Sequence, residues 1–177
     1  NELRNRGVER VCFFCADGLK GLDQAIHAVF PSSYFQRCIV HQVRYTLRFV
    51  SYKDRKTMAR EMKSIYQADT LEMAERNLEL FSHNWKDKYP YSVKSWFDNW
   101  DHLSTFFQYG KELRRLIYTN NPIESINRQI RKLTKTKGHF PTEESVIKLA
   151  YLGIEKASKK WTARMQHWDT ILDQLLL

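Results

Sequence analysis

Residues 9–16, Glu-Arg-Val-Cys-Phe-Phe-Cys-Ala, form an apolar run that stops at Asp17-Gly18. Continuous rather than alternating apolarity marks a strand covered on both faces, as in a parallel sheet flanked by helices. That segment commits the chain to an α/β arrangement. Gly21 to Phe30 reads as a helix, with Leu22, Ala25, Ile26 and Val29 on one side. Pro31-Ser32-Ser33 is a turn, and Tyr34 to Val40 reads as a second strand. Beyond Val40 no segment has a convincing strand pattern. So few strands do not close a sheet, so more are expected from upstream. The opening Glu2-Leu3-Arg4-Asn5-Arg6-Gly7 reads as the tail of a helix closed by a glycine. The expectation is therefore the carboxy-terminal part of a longer protein.

The rest is helical by periodicity. Met58, Met62, Ile65 and Tyr66 follow one stripe, and Leu71, Ala74, Leu78, Phe81 and Trp85 a second, after Asp69 as cap with Glu72 three residues on. Val93, Trp96, Phe97, Trp100 and Leu103 make a third, after Pro90 in a first turn. Asn121-Pro122-Ile123-Glu124 opens a helix that closes near Gly138; two more run from about Thr142 to Lys159 and from about Thr170 to Leu176. Three blocks result: 1–41 as a partial α/β core, 42–110 as a helical insertion, and 111–177 as helices that complete the first block.

The charge balance points to a polyanion. Twenty-nine Lys and Arg face twenty Asp and Glu, a formal net charge of +9, which suits nucleic acid or an anionic surface. It is clustered: residues 37–63 and residues 111–137 each hold eight Lys/Arg against two acids. No run of 18 apolar residues is present to span a bilayer. Three cysteines are an odd set and fit no disulfide framework, which favours a reducing, cytoplasmic setting.

Two carboxylates stand out. Asp17 ends the buried strand, and ligand sites in open α/β sheets lie at the carboxyl ends of strands. A carboxylate there suits a hard cation; an Asp-Gly turn needs no ligand at all. Glu124 sits in the first turn of its helix, where Asn121-x-x-Glu124 also matches a capping box. At 100° per residue, Ile123, Ile126, Ile130 and Leu133 point one way, and Glu124, Asn127, Arg128, Arg131 and Lys135 the other. Such a face suits metal and phosphates, or solvent. Cys12-x-x-Cys15 and Cys38-x-x-His41 invite a zinc reading. An offset of three, however, puts Cys12 and Cys15 on opposite faces of a strand, so no zinc is expected. Cys38 and His41 lie where the second strand gives way to helix and can point back toward Asp17. Trp85, Trp96 and Trp100 suit a core first and base stacking second.

Cys15-Ala16-Asp17-Gly18-Leu19-Lys20-Gly21, Cys38-Ile39-Val40-His41-Gln42-Val43-Arg44 and Ile117-Tyr118-Thr119-Asn120-Asn121-Pro122-Ile123-Glu124-Ser125-Ile126-Asn127-Arg128, in that order, resemble the Mutator-like transposases of bacterial insertion sequences. Trp96, Trp161 and the Trp168 region share the likeness, which runs essentially from Asn1 to Leu177. The resemblance implies an incomplete ribonuclease H-like domain with a large all-helical insertion, mostly α by content. It implies metal-dependent cleavage and transfer of DNA strands. Asp17 looks like the second acid of an Asp-Asp-Glu triad, and Glu124 like the third. Cys38 and His41 match the family's Cys-x-x-His signature. The implied metal is Mg²⁺ or Mn²⁺, and the implied partners are element ends and target DNA, in a homo-oligomer at full length, off the membrane and near the bacterial nucleoid. Asn127, Arg128, Arg131, Lys132 and Lys135 are the expected DNA contacts. The family's first Asp lies on an earlier strand, and no residue here replaces it, so these residues alone are expected to be inactive. The rival reading is a non-catalytic, basic helical module that binds DNA or a protein partner.

Overall fold

The computed structural model describes residues 1–118, 121–159, 161–162 and 166–176, with the side chains of 121–125 and 176 outside that description. Its elements run α1 (Glu2–Asn5), β1 (Phe13–Ala16), α2 (Leu22–Val29), β2 (Tyr34–Arg37), α3 (Ile39–Arg48), α4 (Tyr52–Tyr66), α5 (Leu71–Trp85), α6 (Pro90–Phe97) and α7 (Trp100–Ser104). A 3₁₀ turn over Thr105–Gln108 precedes α8 (Lys111–Tyr118), α9 (Asn121–Thr134), α10 (Glu143–Ser158) and α11 (Trp168–Leu176). The chain is mostly helical, with one two-stranded parallel sheet among the described residues. It divides into two compact units: 1–118 with 169–177, and 119–168.

In the first unit β1 and β2 pair in parallel, Phe13 opposite Tyr34 and Ala16 opposite Arg37. A parallel pair needs a crossover, which α2 supplies. Gly21 caps α2 with φ +84, a left-handed backbone that favours glycine. The Phe13 and Tyr34 rings stack at 5.6 Å, and Tyr109 meets Phe13 edge-on at 4.8 Å. The strand is shorter than the apolar run suggested, half-buried rather than covered, and Cys12 is exposed. Among the described residues only β2 lies beside β1. The second strand also stops early: Cys38 N–H donates to Ala16 O at 2.9 Å, then Cys38 O accepts from Gln42 N at 3.0 Å and α3 begins.

The helices of this unit share one core. Met58, Met62 and Ile65 of α4, Phe81 of α5, Trp96 of α6 and Phe106 are sealed from solvent, and Ile171 of α11 joins them. Each fully buried large apolar side chain contributes about 1.5–3 kcal/mol. Trp96 and Trp85 therefore belong to the core, and Trp100 is half-buried, its Nε1 donating to Glu75. The cap of α5 is Thr70 rather than Asp69: the Thr70 hydroxyl accepts from Met73 N–H, one residue later in register.

Two buried polar groups tie elements together, one from the sheet to the helical block and one between helices. Gln36 of β2 donates from Nε2 to Leu103 O at 3.1 Å and accepts at Oε1 from Phe106 N–H at 3.1 Å. Thr46 of α3 accepts at Oγ1 from the Trp96 indole N–H at 2.9 Å, and its carbonyl accepts from Ser92 Oγ. Both stay satisfied, so their burial costs little. In the second unit α9 packs on α10, where Gly153 lets Leu133 approach closely. Thr142 caps α10, accepting from Ser145 N–H at 3.2 Å.

Candidate functional site

The two parallel strands end side by side, and their carboxyl ends set the site. Asp17 follows β1 directly. The ladder continues through Cys38 N–H to Ala16 O, which puts Cys38 beside Asp17. Cys38 is the N-cap of α3 and His41 lies in its first turn, so the helix start aims the imidazole back at the strand end. His41 Nδ1 lies 2.7 Å from Asp17 Oδ1 and 3.0 Å from Cys38 Sγ. Three potential ligand atoms, from Asp17, Cys38 and His41, thus fall within 4.8 Å of one another. Asp17 and His41 are exposed, whereas Cys38 is buried.

A second thiol stands behind the cluster. Cys15 of β1 lies half-buried with its Sγ 3.6 Å from Ile117 O. Its thiol donates to Cys38, which pulls the Cys38 thiol down to about 5; the amide and ring of His41 act the same way, against burial. The Cys15 thiol is pushed up by that same hydrogen bond, by burial, and by the charges of Cys38 and Asp17.

Arg37, the last residue of β2, crosses over Gly18 and donates to Asn99 Oδ1. A side chain at position 18 would displace that guanidinium, so the Asp-Gly turn has a packing reason as well. Asp17, Arg37, His41, Arg44, Tyr45 and Arg48 line a cleft of about 530 Å³.

The donor set decides which ions fit. The Asp17 carboxylate suits a hard cation such as Mg²⁺ or Mn²⁺. Sulfur and imidazole beside it suit a softer ion. Across a tetrahedral zinc, neighbouring ligand atoms stand about 3.3–3.7 Å apart, from bond lengths of about 2.0–2.3 Å. The contacts of 2.7 and 3.0 Å are instead those of direct hydrogen bonds. The chemistry of the Asp17 carboxylate is thus compatible with a hard ion, and His41 stands beside it at hydrogen-bond distance.

The other expected site residues lie in the second unit. Glu124 falls in the first turn of α9; its side chain lies outside the described residues, as does that of Ile123. Asn127, Arg128, Arg131, Lys132 and Lys135 are all exposed, and Ile126, Ile130 and Leu133 are half-buried. Among the described side chains, Ile126, Ile130 and Leu133 are thus less exposed than Asn127, Arg128 and Arg131, and Lys135 lies one residue past the end of α9. Residue-by-residue reading passed over Arg37, Arg44, Tyr45 and Arg48. Their signal was the basic stretch at 37–63 together with the i, i+3, i+4, i+7 spacing of His41, Arg44, Tyr45 and Arg48.

Comparison with known proteins completes the picture. A strand-end carboxylate thus stands in a cleft that Arg37, Arg44 and Arg48 also line. The model of the Mutator family of transposases matches residues 1–164. The chain belongs to that family. It is 43% identical over 169 residues to a transposase for insertion sequence element ISRM3 of Rhizobium meliloti (strain 1021), covering 95% of this chain and 42% of that protein. A probable insertion-element transposase of Corynebacterium diphtheriae is 41% identical over 164 residues, 92% of this chain and 48% of its own length. The transposase for IS905 of Lactococcus lactis subsp. lactis (strain IL1403) is 39% identical over 146 residues, 82% and 37% respectively. The chain thus spans less than half the length of these relatives. No helix among the described residues is long and apolar enough to cross a membrane.

Proposed function

We propose that this chain forms part of an insertion-element transposase and supplies two acids of its strand-transfer centre, Asp17 and Glu124. The contact that carries the reading is the 2.7 Å approach of His41 to an exposed carboxylate at the end of a parallel strand. In the assembled protein, residues 1–41 belong to a ribonuclease H-like core, 42–110 are the helical insertion, and 111–177 complete the catalytic domain. Divalent Mg²⁺ or Mn²⁺, when bound, supplies charge stabilisation at the scissile phosphate and its leaving oxygen. Asp17 and Glu124 hold that charge in place. His41 orients the Asp17 carboxylate through its Nδ1, and the nearby Cys38 sulfur helps to hold the imidazole in place. Arg128, Arg131, Lys132 and Lys135, with Asn127, hold the DNA backbone without reading sequence. The substrates are element ends and target DNA, and the working form is a homo-oligomer.

The test is strand transfer by the complete protein with Mg²⁺ or Mn²⁺. Asp17→Asn and Glu124→Gln drop it to background while DNA binding persists. His41→Ala lowers it by about 10- to 100-fold, as loss of a ligand-orienting partner does. Undiminished transfer by Glu124→Gln removes Glu124 from the centre. The exposed cations of α9 also support a non-catalytic, DNA-holding module. That reading requires binding indifferent to Mg²⁺ and to Asp17→Ala, with no transfer by the parent protein.

A further inference from the structure

Helix α3 divides sharply between its faces. Ile39, Gln42 and Thr46 are buried, whereas His41, Arg44, Tyr45, Arg48 and the capping Phe49 are exposed. This exposed stripe starts at the Asp17 cleft and runs a full helix length from it. Its cations are ordinary for a surface; its rings are not. Tyr45 is 49% and Phe49 54% exposed, with centroids 5.3 Å apart at 73°. Arg48 sets its guanidinium 5.9 Å from the Phe49 centroid. The tryptophans available for stacking by sequence are committed to the interior, Trp96 completely.

We infer that the Arg44–Tyr45–Arg48–Phe49 stripe of α3 is a binding site for unpaired DNA strand next to Asp17. This deepens the transposase reading and rests on it for the path of the DNA. Charge complementarity selects the occupant: Arg37, Arg44 and Arg48 line the cleft with two acids, Asp17 and Asp98, and Asp98 is paired with Lys94 at 2.5 Å. The rings select its form. In a duplex the bases are stacked on each other and offer phosphates alone to a surface; in a single strand each base has a free face for an aromatic side chain. A basic groove with aromatics at helical spacing is the arrangement that tracks backbone and bases together. Melted or splayed DNA beside a cutting site is what such a stripe holds.

The test measures binding, without divalent ion, to a fluorescein-labelled oligothymidine and to a duplex of the same length. The protein prefers the single strand. Tyr45→Ala combined with Phe49→Ala weakens single-strand binding about tenfold or more, from the usual worth of base stacking, and leaves duplex binding within about twofold. Tyr45→Phe with Phe49→Tyr restores it. Arg44→Gln and Arg48→Gln each lower the single-strand salt slope by about 0.7. A 2-aminopurine in the oligonucleotide is quenched by the parent and not by the double alanine variant, whose thermal melt matches the parent's. Equal loss on both DNAs, or no loss on either, overturns the inference. So does equal competition by polyglutamate, which marks a site for acidic polymers in general. Because no step of this assay is catalytic, failure of strand transfer by the complete protein counts against the catalytic reading alone.

Discussion

Asp54 shows how one residue ties distant parts of the helical block. Its Oδ2 accepts from Lys88 Nζ at 2.6 Å, Tyr89 Oη at 2.6 Å and Ser51 Oγ at 2.8 Å. The Lys88 ammonium first, then Tyr89 and Ser51, hold this carboxyl well below its ordinary value of 3.8. A depressed carboxyl stabilises the fold only when ionised. That contribution is complete above the unfolded value and disappears as pH falls through the folded one. Asp54→Asn is therefore expected to melt at a lower temperature than the parent at pH 7, with the gap narrowing below pH 4. Melts followed by circular dichroism at both pH values check it; an equal gap at the two would exclude the mechanism. Little in the sequence announced this network, because two of its three donors, Lys88 and Tyr89, lie more than thirty residues away in chain order. The Asp17–Cys38–His41 cluster was more legible. Two short motifs, each at the end of an apolar strand, come together whenever those strands pair in parallel. What stayed hidden was the part of the site made by side-chain direction: Arg37 over Gly18, and the approach of Cys15 to Cys38.

Helices of this chain are written in its apolar stripes: α5 and α10 fall within a residue of the expected spans and α4 ends with its stripe at Tyr66, but the third stripe, Val93 to Leu103, divides between α6 and α7. The strands were legible as strands but not in length, since an apolar run cannot say where its ladder partner stops. Thr70 displaced Asp69 as a cap for a similar reason: either residue has a suitable side chain, and backbone geometry chooses. The α9–α10 pair gives an element-scale test. A Cβ on Gly153 would stand 2.9 Å from Leu133 Cδ1, the movable end of a flexible side chain. Gly153→Ala then trades a small rotation of Leu133 against about 1 kcal/mol of helix propensity and is expected to be near neutral. Gly153→Leu adds volume that no rotation removes and costs about 1–3 kcal/mol. Adding Leu133→Ala to Gly153→Leu recovers part of that loss. Chemical unfolding of the four proteins closes the cycle, and strict additivity would show that the two residues do not meet.

At the scale of the whole molecule, most of the clustered charge is placed where the fold exposes it, with Arg114 of α8 a buried exception. The formal +9 is concentrated on α3 and α4 in one unit and on α8 and α9 across the boundary between units, so DNA binding should rest on phosphate contacts and fall steeply with salt. Catalysis has a different requirement. In the reading proposed above, these 177 residues supply two acids, Asp17 and Glu124, and the triad that the resemblance implies needs one more. Binding and cutting should therefore separate. The isolated chain is expected to bind duplex DNA with a salt slope that drops by about 0.9 for each phosphate contact removed. Replacing Arg128, Arg131 and Lys135 by Gln should thus flatten the slope by about 2.7 if all three touch phosphate. In Mg²⁺ or Mn²⁺ the same preparation should leave a supercoiled plasmid carrying the element ends uncut. Cleavage that survives rigorous purification and disappears in Asp17→Asn would mean that two acids suffice, and would overturn the requirement for a third. Cleavage that persists in Asp17→Asn would place the activity outside this site altogether.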